Sequence, residues 1–277
     1  MKLLRRLCLI LIGAGWAGLH PVAAQQGDTL RLDDPTRRVT RATLYGVGTA
    51  NVFDTYLSPQ AYKGIDFRIS RESLRMLRRG GGDKWSRQVF FQADLGYTHN
   101  KVDNNNTLSM LANWNYGLHR HFPLTHNLRL LAGGVADLNG GFVYNLRNGN
   151  NPAQARAYIN LDASGMLLWD LRLAQRPLQL RYQLNLPLVG LMFMPEYGQS
   201  YYEIFSLGHA DGVVNFTSLH NQPSLRQMVS ADYPVGKLKM RLAYIWDAQQ
   251  AKVNGIKTHS YSHVFMVGFV KEFYLLK

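Results

Sequence analysis

Residues 259–263, His259-Ser260-Tyr261-Ser262-His263, bring together two serines and two histidines, the side chains from which a nucleophile and its base are made. A hydrolytic site needs both on one face, with an oxyanion donor beside them. In an extended chain residues two apart share a face, so Ser260 and Ser262 point one way and both histidines the other. No His-x-Ser pair occurs anywhere in the chain to repair this. His119 and His121 have the two-residue spacing of ligands on one strand face, but a zinc site wants three or four ligands and the spacing supplies no third. They read instead as interfacial histidines of an inner turn. Gly80-Gly81-Gly82 lacks the Gly-Lys-Ser/Thr ending of a phosphate loop. No catalytic residue, metal or cofactor is expected.

The densest unusual stretch is 187–207, PLVGLMFMPEYGQSYYEIFSL. A simple solvated loop would not carry this much Met, Phe and Tyr. Folded into a barrel mouth, it would bring Glu196, Tyr197, Tyr201, Tyr202 and Glu203 toward inward-pointing Arg181 and Arg241. These seven are the candidate ligand-binding or plug residues. A carboxylate brought into a narrow lumen is costly unless paired, so Glu196 and Glu203 are expected to meet inward arginines.

What would position such a site is a set of long alternating strands. In 107–119, Leu108, Met110, Ala112, Trp114, Tyr116 and Leu118 share one face, opposite Ser109, Asn113, Asn115, Gly117 and His119. Period two over that length is β structure. Residues 88–98, 178–186, 238–247 and 260–272 repeat the dyad. These runs approach the 9 to 11 residues with which a tilted strand crosses a bilayer, and their polar faces carry Arg, Asp and Asn in mid-strand. That pattern fits lipid on one side and a wet or salt-bridged lumen on the other. Strands are expected near 38–49, 62–73, 85–98, 107–119, 127–138, 154–171, 178–186, 201–208, 213–220, 225–233, 237–248 and 258–271. Twelve is the expected count, with ten or fourteen as the neighbouring even solutions. Expected inward charges are Asp66, Arg68, Asp94, Arg129, Asp162, Arg172, Arg181, Asp232, Arg241 and Glu272.

The first residues supply a compartment. A basic start (Lys2, Arg5, Arg6), an apolar stretch from Leu7 to about Leu19 and the small-residue ending Val22-Ala23-Ala24 have the layout of a secretory leader cleaved after Ala24. Its removal takes away three of the 31 basic residues and none of the 18 acidic ones, leaving a net charge of about +10 from the full chain's +13. It also takes the single cysteine, Cys8, so neither a disulfide framework nor a thiolate metal site is available. The cations are scattered singly along alternating strands, with no basic helix, which argues against nucleic acid. No later segment holds 18 consecutive apolar residues, so the closed barrel is the remaining way to span a bilayer.

The string 190–205, Gly-x-Met-Phe-Met-Pro-Glu-Tyr-Gly-Gln-Ser-Tyr-Tyr-Glu-Ile-Phe, has companions in Asp54-Thr55-Tyr56-Leu57-Ser58-Pro59, in Arg147-Asn148-Gly149-Asn150-Asn151-Pro152 and in Gly268-Phe269-Val270-Lys271. Together they resemble a domain-of-unknown-function family of predicted outer-membrane barrels from Bacteroides-like bacteria, over essentially the whole mature chain. The resemblance implies a barrel and brings no activity with it. The expected protein is therefore all-β: a leader (1–24), then a single transmembrane antiparallel up-and-down β-barrel (25–277) in a Gram-negative outer membrane. Its lumen is charge-lined and partly plugged, and a lipid hydrolase or a small-solute channel or transporter is the alternative reading. Outer-membrane lipids, lipopolysaccharide and the barrel assembly machinery are the expected partners.

Overall fold

The computed structural model describes residues 38–77, 84–149, 151–236 and 238–274; the expected leader lies outside these. Among the described residues eleven strands follow in order: β1 (Arg38–Asp54), β2 (Ser58–Leu77), β3 (Trp85–Asn100), β4 (Asn106–Pro123), β5 (Leu128–Asn145), β6 (Ala153–Leu173), β7 (Arg176–Phe193), β8 (Val214–Ser218), β9 (Leu225–Val235), β10 (Leu238–Val253) and β11 (Ile256–Tyr274). A one-turn helix, α1 (Tyr201–Phe205), lies between β7 and β8. Every neighbouring pair is antiparallel, and β1 closes onto β11 while β6 pairs with β7. Closing β1 onto β11 and β6 onto β7 pairs each strand of the ring on both sides, and only the short β8 keeps an unpaired edge.

Ten strands, not twelve, form the ring. β9 pairs with β7 on one side and β10 on the other, whereas β8 pairs only with the top of β7, residues 189–193. The strand expected at 201–208 is helix α1 and its exit. The strand expected at 213–220 shrinks to the five residues of β8. The seven strands expected before them are present, and most run longer than expected. The expected loop over 50–61 is a tight turn between Asp54 and Ser58, and the strand before the 187–200 loop continues to Phe193. Two turns show why the hairpins close tightly. Ala174-Gln175 and Asn254-Gly255 all have positive φ, the geometry of a two-residue turn matched to strand twist.

Following the ladders from Gly46 of β1 reaches Arg156 of β6 by way of β2 and Leu168 of β6 by way of β11, a stagger of twelve residues, 168 minus 156. For ten strands this stagger fixes a tilt of roughly 40° and a backbone radius of roughly 10 Å. Points of equal height then slip by about 1.2 residues from strand to strand. On that reckoning the outward cations Arg41, Arg87, Arg120 and Lys271 lie toward the rim holding Arg38 and Tyr274, the near rim, and Lys63, His99, Lys252 and Lys257 toward the far rim. About 30 Å of height separates the two sets. Between them the exposed side chains include Tyr45, Val47, Ile65, Phe67, Phe91, Trp114, Leu138, Ile159, Leu161, Leu242, Phe265 and Val267. The polar Gln227 within this belt accepts a hydrogen bond from Tyr182 Oη at 2.9 Å. Arg71 breaks the belt; its long side chain suits extension toward the near rim.

Candidate functional site: the lumen and its mouth

The inward faces deliver charges from every side of the ring. Strand β2 supplies Asp66, Arg68, Ser70 and Glu72 at two-residue intervals, all buried. A radius of about 10 Å lets an arginine reach the barrel axis, so side chains from distant walls meet. In the lower half, toward the near rim, Glu72 accepts from Arg181 of β7 at 2.8 and 2.9 Å, from Gln88 of β3 at 2.6 Å, and from Arg241 of β10. Arg241 also grips Asp232 of β9 with two bonds, at 2.6 and 2.8 Å. Bidentate forks of this kind hold geometry as well as charge.

In the upper half Arg68 donates to Asp66 at 2.6 Å and to Ser262 at 2.8 Å, with Asp247 at 3.4 Å. Arg226 of β9 donates to Asp247 at 3.0 Å and reaches across the ring to Asn113 of β4 at 2.6 Å. Here two guanidiniums face Asp66, Asp94, Asp137, Asp162 and Asp247. Side-chain amides add further donors to two of these carboxylates. Asn113 and Asn139 donate to Asp137, the latter at 2.7 Å, and Gln92 and Gln249 donate to Asp247 at 3.2 and 2.6 Å.

Apolar layers separate and cap these networks. Leu44, Phe90, Met228, Ala243, Ile245, Val264 and Met266 form a buried cluster between the two charged zones. Near the far rim Met192, Met194, Ala251, Val253 and Ile256 pack together against Tyr56 and Tyr158. A void of about 20 Å³, lined by Phe90, Asn115, Gln183, Asn185, Arg226, Met228 and Ile245, has room for about one water. The lumen is filled by the wall's own side chains.

The segment between β7 and β8 lies across the far mouth. Asn254 of the β10–β11 turn donates to Met194 O at 2.7 Å and Gly212 O at 2.8 Å. Tyr56 of the β1–β2 turn donates to Gln199 O at 2.9 Å. Tyr201 Oη donates to Gln154 at 2.9 Å and accepts from the Ala155 amide at 2.6 Å. Burial pushes the Tyr201 phenol up to about 12. A capping box starts α1: Ser200 Oγ accepts from the Glu203 amide and the Glu203 carboxylate accepts from the Ser200 amide. Those Ser200 bonds hold the Glu203 carboxyl below its ordinary value.

The seven expected site residues therefore separate. Arg181 and Arg241 are sealed in the lower network, and Tyr201 holds the mouth segment down. Tyr197 and Tyr202 are exposed, as is Glu196. The expected pairing of Glu196 and Glu203 with inward arginines is not what forms: Glu203 caps its own helix, and the lumen arginines are taken by Glu72, Asp232, Asp66 and Asp247. Of the expected inward charges, Arg129 pairs with Asp170, and Glu272 with Arg38 and Lys239, at the near rim instead of within the lumen. Arg172 is exposed there as well. Glu72, Asp137 and Arg226 were absent from that expectation, yet each occupies a regular two-residue step on an inward face. Their periodicity was the available signal.

His119 lies inside the lumen wall instead of in an inner turn, fully buried with Nε2 2.9 Å from Ser164 Oγ; that serine donates onward to Asn185. Ser262 is an acceptor for Arg68 inside the barrel. His263, on the opposite face, meets Tyr244 Oη at 2.6 Å. The wall thus separates the 259–263 histidines from the inward serine. Among the described residues no cluster of three His, Cys, Asp or Glu has metal-binding geometry.

Several solved structures are similar to the chain at low identity. The transport unit of the autotransporter AIDA-I from Escherichia coli is 10% identical, with 91% of this chain and 93% of that chain covered and a TM-score of 0.47. The outer membrane protease OmpT from Escherichia coli is 10% identical, with 86% and 97% covered and a TM-score of 0.45. The translocator domain of the autotransporter NalP from Neisseria meningitidis is 9% identical, with 96% and 93% covered and a TM-score of 0.37. No curated protein matches the sequence. The profile of a protein family of unknown function, DUF3316, matches residues 4–277, and the chain belongs to that family.

Proposed function

We propose that the protein is a sealed, non-enzymatic barrel of the bacterial outer membrane, whose work is done at its ends and not through its lumen. The observation that carries this reading is the meeting of side chains from distant walls. Gln88 of β3 and Gln183 of β7 exchange hydrogen bonds at 3.0 and 2.9 Å, and Arg226 of β9 reaches Asn113 of β4. No solute passes such a cross-section without dismantling buried ion pairs. The apolar belt matches the ~30 Å hydrocarbon thickness of a bilayer. With both strand termini placed in the periplasm, the far rim and its mouth segment face the cell exterior.

On this reading the belt's partners are outer-membrane lipids, and the cations Lys63, Lys252 and Lys257 meet the phosphates of lipopolysaccharide. The barrel assembly machinery inserts the chain after the leader is removed. Glu196, Tyr197 and Tyr202 are the side chains offered outward for recognition. Proteoliposome swelling tests the sealed lumen. Vesicles carrying heat-modifiable, inserted protein should swell in small sugars no faster than empty vesicles. Swelling at porin-like rates would refute the reading.

A further inference from the structure

The segment that crosses the mouth does not end over the lumen. Tyr56, Tyr201 and Phe205 form a chain of rings leading outward: Tyr56 meets Tyr201 edge-on at 6.1 Å, and Tyr201 stacks on Phe205 at 6.2 Å. Phe205 in turn stacks on Phe193 at 6.3 Å. Phe193 continues the outward set of β7 above Val189 and Leu191, both exposed on the belt. Beyond that contact Phe205 is 73% and Tyr202 66% exposed, with Leu207 beside them at 51%.

Exposed rings on a one-turn helix would be a liability in water, because contiguous apolar surface of this kind seeks a partner. Its height identifies the partner. The Ala155 amide that anchors Tyr201 lies about seven residues above the level of Gly46, on the same slip of 1.2 residues per strand. That is the level of Lys63, His99, Lys252 and Lys257, the far boundary of the apolar belt. Aromatic rings with one polar edge settle at such a boundary, between acyl chains and headgroups.

We infer that α1 is an interfacial foot: Phe205, Tyr202 and Leu207 rest in the headgroup–acyl boundary of the outer leaflet and fasten the mouth segment to the lipid surface. This inference rests on the membrane reading above and adds a lipid contact that the belt alone does not require. The capping box keeps the short helix formed, and Tyr201 ties it to β6, so lipid contact on one side and the Tyr56–Gln199 bond on the other hold the lid closed.

Site-directed labelling tests it. With the leader gone the chain has no cysteine, so Phe205→Cys carries a single environment-sensitive fluorophore in phosphatidylcholine–phosphatidylglycerol vesicles. Leu138→Cys, in mid-belt, and Val102→Cys, on the far-side β3–β4 turn, are the reference positions. Label at 205 should emit blue-shifted relative to 102, be quenched by lipids nitroxide-labelled high on the acyl chain, and resist aqueous iodide. Tyr202→Cys repeats the measurement if the first variant does not show heat-modifiable folding. Iodide access at 205 equal to that at 102 overturns the inference, as does shielding from both iodide and lipid nitroxide, which would mean a protein surface covers the foot. If label at 138 also escapes lipid quenching, the membrane reading has failed instead.

Discussion

Removing Glu72 should cost more than removing any surface charge of this protein. Its two carboxylate oxygens serve Arg181, Arg241 and Gln88. In Glu72→Ala, Arg241 keeps both bonds to Asp232, but Arg181 loses its ion-pair partner while remaining buried. Breaking a buried pair by deleting one partner costs about 3 to 5 kcal/mol, because the other charge stays desolvated. Replacing both, as in Glu72→Leu with Arg181→Met, removes that uncompensated charge and should recover most of the loss, since apolar replacements of buried pairs are often neutral or better. The half-exposed Arg129–Asp170 pair at the near rim is the comparison: Asp170→Ala should cost no more than about 1 kcal/mol. Urea titration in lipid vesicles, read by the folded band on unboiled gels, measures all three. A Glu72→Ala loss no larger than that of Asp170→Ala would show that the lumen is wet, and the sealed-core reasoning would fall.

Ala112 faces outward near the middle of the belt, so Ala112→Arg should cost about 2 to 4 kcal/mol or block assembly, while Ala112→Leu stays folded; equal yields of both folded variants would show the belt is not in lipid. Tyr201 has its phenol raised by burial, so the unfolded chain ionises first and the stability of the closed mouth should fall as pH climbs from the ordinary tyrosine value toward about 12. Hydrogen exchange of residues 194–213 should show that loosening in the native chain, and Tyr201→Phe should loosen the same residues at neutral pH by leaving the Ala155 amide without its partner.

The strands that were legible in the sequence were those with one apolar and one polar face, such as 107–119, where alternation fixes both the element and the side that meets solvent or lipid. The strand count failed over 201–220 because Tyr201, Tyr202, Ile204 and Phe205 are good strand formers read without their cap. Ser200-x-x-Glu203 is a helix start, and giving it weight would have removed one strand. The inner surface was misjudged for a different reason. Val264 and Met266 on β11, and Leu44 on β1, point into the lumen beside outward neighbours that are also apolar, so the alternation lapses at these steps even where the rest of the strand keeps it. A lumen described only by its polar residues therefore left out Phe90, Ile245 and their apolar neighbours, which pack inside the ring between the arginine networks.

A planar-bilayer recording compares the native barrel with a variant whose residues 195–212 are replaced by a short Gly-Ser linker. The layered lumen lies beneath the mouth segment, so both proteins should insert and neither should show stepwise porin-like conductance. Porin-like steps from the native barrel would contradict the sealed lumen directly. Steps from the linker variant alone would show that the mouth segment, and not the wall's side chains, makes the seal.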